Sequence, residues 1–215
     1  MRQILFILIS LLLLVCQASV QAKESDPRRS SGRDSQPPTE ETEETDITGY
    51  GDILFGSAIR DLDVTRMEPL ARSDFARFWI VNDESYQTFT IVDKTLDATT
   101  IVGSLDNSTV AVVAIALEFP LTMDLDEISL YVRAVRSMYM DKYPQLPVSD
   151  AWAWDYDSYH TDWWIGDLEI NDQDGDNIWA HWDGYSLMIS YRNAEYQQAV
   201  WDNAVEHMTD QADKI

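Results

Sequence analysis

Thr109–Phe119 reads TVAVVAIALEF, and this almost unbroken apolar stretch decides how the chain folds. A short run of this kind, rich in Val and Ala with one Ile, is typical of a strand buried on both faces of a sheet. The residues before it predict further strands at Asp52–Phe55, Phe75–Val81, Tyr86–Val92 and Thr99–Val102. The run is therefore expected to be a central strand with neighbours from the first half of the chain.

After this strand the hydrophobic period changes from that of a strand to that of a helix. Between Asp124 and Tyr143 the apolar side chains recur every three or four residues, which predicts an amphipathic helix. Asp124 and Glu127 have the spacing of a capping box, and Pro144 is expected to end the helix. The residues that form the predicted apolar stripe are Ile128, Tyr131, Val132, Val135, Met138 and Tyr139.

The last third of the chain predicts a three-stranded antiparallel meander followed by a second amphipathic helix. The strands are expected at Trp163–Ile170, Asn177–Trp182 and Tyr185–Tyr191, separated by turn sequences rich in Asp and Gly. Asn193 is expected to cap the helix. Its apolar stripe contains Tyr196, Val200, Trp201, Ala204, Val205 and Met208. The order strands, helix, strands, helix predicts a single α+β domain with a mostly antiparallel sheet.

The amino-terminal segment 1–22 is predicted to be a secretory signal peptide. Arg2 precedes the apolar run Ile4–Val15, and small residues end the segment at Ala22. The run is shorter than the roughly 20 apolar residues that a membrane-spanning helix needs. We therefore expect cleavage after Ala22, a mature chain without a transmembrane segment, and a periplasmic or secreted location. Lipidation of Cys16 is the alternative, although Val15 fits poorly before a lipidated cysteine.

Residues 23–48 are predicted to be a disordered acidic linker, and 49–215 the globular domain. The linker contains charged, Ser and Pro residues and almost no large apolar side chain, so it cannot offset the entropy of ordering. Cleavage after Ala22 would also remove Cys16, the one cysteine of the chain. The mature domain is then expected to fold without disulfides.

The net charge of −23, from 15 Lys and Arg against 38 Asp and Glu, limits the partners. Such a field repels nucleic acid and anionic lipid headgroups, whereas it attracts cations and basic proteins. An acidic, well-solvated surface without any binding role is the alternative explanation.

Aromatic residues are concentrated in one part of the domain, because six of the eight Trp lie between Trp152 and Trp182. On a strand, Trp152, Trp154 and Tyr156 would share one face. If that face were open to water, it would be a candidate ligand-binding surface on which sugar rings stack. The alternative is that the same face packs against the first helix as part of the core.

Asp155 and Asp157 are the weak candidates for catalytic residues. Alternate residues of a strand lie roughly 6.5–7 Å apart, a separation that suits the two carboxylates of a glycosidase. In a chain with 38 acidic residues, however, such pairs also arise by chance. A glycan-directed hydrolase is therefore the alternative function.

Asp172, Asp174 and Asp176 are the candidate metal ligands. They lie in NDQDGD, which resembles a calcium loop in composition but lacks the spacing and the final Glu of an EF-hand. An ordinary hairpin turn is the competing interpretation. Apart from this weak Ca²⁺ site, no cofactor is predicted.

The three histidines, His160, His181 and His207, lack the spacing of metal ligands or of a catalytic triad, so hydrogen-bonded structural roles are expected. The sequence therefore favours an exported, non-enzymatic domain that binds a protein or glycan partner.

Overall fold

The structure is a computed structural model, and it describes most of the chain from Asp46 onward. The described residues are 46–62, 67–72, 76–91, 94–105, 108–155, 163–184 and 186–212. At 150–155, 163–165, 204 and 207–212 the backbone alone is described. The predicted signal peptide and most of the predicted linker lie outside the described residues.

The described residues form an α+β domain, as the sequence predicts. In chain order the elements are β1 Gly49–Tyr50, β2 Ile53–Leu54, β3 Met67–Arg72, β4 Arg77–Val81, β5 Thr88–Ile91, β6 Lys94–Ser104, β7 Val112–Glu118, α1 Leu125–Lys142, β8 Val148–Asp155, β9 Trp163–Asn171, β10 Asn177–Trp182, β11 Leu187–Arg192 and α2 Ala194–Ala212. Short 3₁₀ turns lie at Ile59–Asp61 and Glu84–Tyr86. Ile47, which the sequence assigns to the linker, is 2% exposed and belongs to the core.

One antiparallel sheet contains all the strands except the hairpin of β1 and β2. Its order is β3-β4-β6-β7-β11-β10-β9-β8, and β5 pairs with the first part of β6. Strand β7 lies between β6 and β11, and six of its seven residues are buried. The prediction of a central strand is therefore confirmed. The strand predicted at Thr99–Val102 is part of β6, which is much longer and spans Lys94–Ser104.

The main hydrophobic core lies between one face of the sheet and α1. Alternate residues of β7 and β11, such as Ile115 and Ile189, share this core with Val132 and Val135 of α1. The helix begins as predicted, because the Asp124 carboxylate accepts a hydrogen bond of 2.7 Å from the Glu127 backbone N–H. This capping satisfies one of the free N–H groups at the start of the helix.

A buried pair of tyrosines fastens α1 to the sheet. The hydroxyls of Tyr139 on α1 and Tyr191 on β11 lie 2.7 Å apart, and both side chains are 2% exposed. Burial raises the pKa of both phenols, so both remain protonated at neutral pH. Each hydroxyl thus depends on the other for its hydrogen bond.

Replacing Tyr139 or Tyr191 singly by Phe is expected to lower the free energy of unfolding by about 1–3 kcal/mol, because one buried hydroxyl loses its partner. The double Phe variant should lose clearly less than the sum of the two single variants, since no orphaned hydroxyl remains. Urea denaturation of the four proteins measures this difference. Strict additivity would mean that the hydroxyl pair contributes nothing.

The opposite face of the sheet is covered in part by α2. Asn193 caps this helix as predicted, because its side-chain oxygen accepts a hydrogen bond of 2.9 Å from the Tyr196 backbone N–H. Tyr196 and Val200 are buried, but Trp201 and Val205 of the predicted stripe are exposed. Adjacent residues of a helix point about 100° apart, so one contact surface does not bury both Val200 and Trp201.

Candidate binding site

The candidate site lies on the sheet face opposite α1, where β9, β10 and β11 run side by side. The register places Asp167 beside His181, Glu169 beside Trp179, and Arg192 beside Asn177. Directly paired residues of neighbouring strands project from the same face of a sheet. We call this group the Trp179 cluster, and its members are Asp167, Glu169, Asn177, Trp179, His181 and Arg192.

The centre of the cluster is a stack of three flat groups. The rings of Trp179 and His181 are parallel within 7°, and their centroids are 4.9 Å apart. The Arg192 guanidinium carbon lies 4.6 Å from the Trp179 ring centroid, in cation–π contact. Because His181 and Arg192 flank Trp179 along the strands, the indole is held between them. The indole is thus fixed in one orientation while remaining partly exposed.

His181 is held by a carboxylate of the neighbouring strand. Its Nδ1 lies 2.6 Å from Asp167 Oδ1, and the side chains are 19% and 42% exposed, respectively. This bond fixes the imidazole ring against Trp179. It also agrees with the prediction that His181 is a hydrogen-bonded histidine. In the described part of the chain, no serine hydroxyl bonds to its other ring nitrogen, as a catalytic triad would require.

Arg192 is half-buried beside two acidic residues. Burial lowers the pKa of its guanidinium, whereas Tyr196, Glu169 and Asp167 act in the opposite direction. Among the described residues it forms no ion pair within hydrogen-bonding distance, and its guanidinium contacts the Trp179 ring. The guanidinium is therefore oriented by stacking on the indole.

Asn177 links the cluster to the start of α2. Its side chain is 1% exposed, and its Nδ2 donates hydrogen bonds of 3.1 Å to Glu169 Oε1 and to Gln197 Oε1. Its Oδ1 has no hydrogen-bond partner within the residues that the structure describes. Glu169 is positioned by this bond, so one carboxylate of the cluster has a fixed place on the sheet.

The predicted aromatic surface lies on β8. There the backbone register pairs Trp152 with Gly166 and Trp154 with Trp164, on the sheet face that carries the buried Leu168. That position is the one required by the core-packing interpretation. The side chains of both Trp residues, and all of Tyr156, lie outside the described residues. Sugar stacking on them therefore stays a prediction.

The candidate catalytic pair is described only in part. The backbone of Asp155 ends β8 and pairs with Trp163, whereas Asp157 lies outside the described residues. The register pairs Asp167 with Ala151 of β8. Asp155 comes four residues after Ala151 and is therefore on the same sheet face as Asp167. The glycan-hydrolase hypothesis consequently stays a prediction.

The Asp172 carboxylate organises the β9–β10 turn. Asp172 Oδ1 accepts hydrogen bonds from the backbone N–H groups of Asp174 and Asp176, at 3.0 and 2.9 Å. Its Oδ2 accepts a third, of 2.9 Å, from Ile47. Gly175, with a φ of +88°, adopts the left-handed conformation that the turn requires. These bonds favour the hairpin-turn interpretation over the Ca²⁺ site.

The carboxylates of Asp172, Asp174 and Asp176 do not form a recognisable group of metal ligands. Among the described residues, no group of three or more His, Cys, Asp or Glu side chains converges as metal ligands do. Asp176 instead accepts a hydrogen bond of 2.6 Å from the Ala194 backbone N–H, at the first residue of α2. The turn therefore connects the first residues of the domain with the start of the last helix.

Replacing Asp176 by Asn is expected to raise the melting temperature at neutral pH. Burial raises the pKa of Asp176 above its ordinary 3.8. The hydrogen bond from Ala194 lowers this pKa, whereas the negative charges of Asp172 and Asp174 raise it further. The folded state thus holds this proton more tightly than the unfolded chain, so stability is lost as pH rises through the raised pKa. Asn retains an oxygen that accepts the Ala194 bond but carries no charge.

The gain should disappear below pH 3.8, where Asp176 is protonated in both states. Asp97→Asn, at an exposed position of β6, is the control for the loss of one negative charge. Thermal unfolding followed by circular dichroism between pH 3 and pH 7 measures both. A melting temperature that falls equally at every pH would contradict the expectation.

Comparisons of the chain with protein-family models, with curated proteins and with solved structures find no match. Neither α1 nor the described part of any other helix combines the length and apolarity needed to cross a bilayer.

Proposed function

We propose that this chain is an exported, non-enzymatic domain that binds a basic segment of a partner protein through the Trp179 cluster. The observation that carries the proposal is the preformed stack of His181, Trp179 and Arg192 on a partly exposed sheet face, beside the carboxylates of Asp167 and Glu169.

The residue types of the cluster support protein binding. Trp and Arg are among the residues most enriched at the energetic centres of protein interfaces. A side chain already held in place loses little conformational freedom when a partner binds, so more of its contact energy contributes to affinity. Trp179 meets this condition because His181 and Arg192 hold its ring on both sides.

The same stack argues against sugar stacking on Trp179. A sugar ring needs a free aromatic face, but the indole faces are occupied by an imidazole and a guanidinium. The exposed edge of the indole and the polar groups around it suit the side chains and backbone of a peptide better. We therefore favour the protein partner over the glycan partner.

Charge supports a basic partner. Asp167 is 42% exposed in its side chain and lies close to Glu169 on the same strand face. The net charge of −23 adds a long-range field that speeds the approach of cationic proteins. Binding should accordingly weaken as the salt concentration rises.

Export is the second part of the proposal, and the apolar segment Ile4–Val15 with its small residues up to Ala22 supports it. The chain should be expressed with its leader in a bacterium, and the amino-terminal residue of the product determined. Lys23 at the amino terminus of extracytoplasmic protein is the expected result. Recovery of the chain from the cytosol with Met1 still present would contradict export.

Selection from a display library of random peptides tests the binding surface without a known partner. Wild-type protein should enrich peptides rich in Lys and Arg, and Trp179→Ala protein should not enrich the same peptides. Leu130→Ala is the control, since Leu130 is an exposed apolar residue of α1 that lies outside the cluster. Equal enrichment by wild type and Trp179→Ala would exclude the cluster as the binding site.

A further inference from the structure

Helix α2 carries two apolar side chains, Trp201 and Val205, that are partly exposed to solvent. Tyr196 and Val200 are 6% and 8% exposed, but Trp201 and Val205, one turn apart, are 44% and 39% exposed. Two exposed apolar side chains one turn apart on a helix can contribute an apolar seam to a contact with another helix. This pair is separate from the Trp179 cluster.

An acidic stripe runs beside the apolar pair. At about 100° per residue, Trp201 and Val205 lie within about 40° of each other around the helix axis, and Asp202 follows at about 100° from Trp201. Glu195 and Glu206 fall on the same side as Asp202, and all three are exposed. The sequence of α2 contains no Lys or Arg to offset these charges.

We infer that this face of α2 docks a basic amphipathic helix of another protein, with Trp201 and Val205 against its apolar residues and the acidic stripe against its Lys and Arg. Helices commonly recognise one another through an apolar seam bordered by complementary charges. A second copy of this chain fits poorly, because a symmetric contact would bring two identical acidic stripes together in molecules of net charge −23.

This inference goes beyond the proposed function, because it concerns a second surface and a helical rather than an unspecified basic segment. The probe is a fluorescently labelled synthetic peptide of Lys and Leu arranged as an amphipathic helix. Its binding to the full domain is followed by fluorescence anisotropy, and sedimentation of the protein alone reports self-association.

The variant Trp201→Gln with Val205→Gln should bind the probe at least about tenfold more weakly than wild type. The matched control is Leu121→Gln with Leu130→Gln, which changes two other exposed apolar side chains and should leave binding unchanged. Both comparisons are repeated in the Trp179→Ala background, which removes the basic-peptide site of the proposed function, so failure of this inference is distinguishable from failure of the proposed function.

A charge-reversed variant, Asp202→Lys with Glu206→Lys, keeps the inference testable if the Gln variant is unstable. It should lose affinity for the Lys–Leu peptide and gain affinity for a Glu–Leu peptide of the same pattern. Equal probe binding by the Gln variant and wild type would overturn the inference. A dimer of the protein alone that Trp201→Gln dissolves would also overturn it, by assigning the face to a second copy.

Discussion

Truncation of Ile115 to Ala is expected to lower the free energy of unfolding by about 2–5 kcal/mol. Ile115 is fully buried in the central strand, paired with Thr100 of β6 on one side and Ile189 of β11 on the other. Removing its side chain loses apolar burial and leaves a cavity that two flanking strands prevent from closing. The free energy of unfolding of an ordinary domain is about 5–15 kcal/mol, so this substitution would remove a large share of it.

Urea denaturation measures the change, with the midpoint shifted and the slope unchanged. Leu130→Ala is the control, because Leu130 lies on α1 with 63% of its surface exposed and Ala favours helix. Its effect should stay within about 0.5 kcal/mol. Equal losses from the two substitutions would mean that β7 is not the centre of the core.

Trp179→Ala is expected to weaken binding of a peptide selected on the wild-type protein by about 30-fold or more. A loss of this size corresponds to about 2 kcal/mol, the threshold for an interface hot spot. The substitution removes the indole and also frees His181 and Arg192 from their stacked positions. Isothermal titration calorimetry at fixed salt measures the affinity.

The variant Arg192→Lys distinguishes the contribution of guanidinium stacking to peptide affinity from the contribution of the positive charge. Lys keeps one positive charge but lacks the flat guanidinium that lies over Trp179, so affinity should still fall. Leu130→Ala, outside the cluster, should bind the selected peptide as wild type does. If Arg192→Lys bound normally while Trp179→Ala did not, the indole alone would carry the interaction.

Strong local patterns made much of the fold predictable. The apolar run around Ile115 predicted the central strand, because a strand buried on both faces needs no alternation. The helix after Asp124 followed from its period and its cap, and both are observed. The β9–β11 meander followed from two turn sequences, and its antiparallel pairing is observed, although β11 spans Leu187–Arg192 rather than 185–191.

Features that depend on contacts between distant segments were not predictable. The first half of β6 contains Lys94, Asp97 and Ala98, whose residue types are depleted in strands, so the sequence did not indicate its full length. The burial of Ile47 arises from tertiary contact, including its backbone bond to Asp172. Which side of α2 is buried likewise depends on its place against the sheet.

The Trp179 cluster required knowledge of strand register. The alternation of Asn177, Trp179 and His181 was visible, but the partner of each residue on β9 and β11 was not. A shift of one position would have turned Asp167 and Arg192 to the other face. The Asp183–Gly184 turn predicts that β10 pairs with β11, but a two-residue turn would pair Trp182 with residue 185, whereas the structure pairs Trp182 with Leu187.

The most direct test of the Trp179 cluster as a binding surface is fluorine NMR of protein labelled with fluorotryptophan, with resonances assigned through single Trp→Phe variants. As a selected basic peptide is added, the Trp179 resonance should shift in a saturable manner. The resonance of Trp182, which is 2% exposed, should stay in place. An unchanged Trp179 resonance at saturation, with the shift appearing at another tryptophan, would contradict the account.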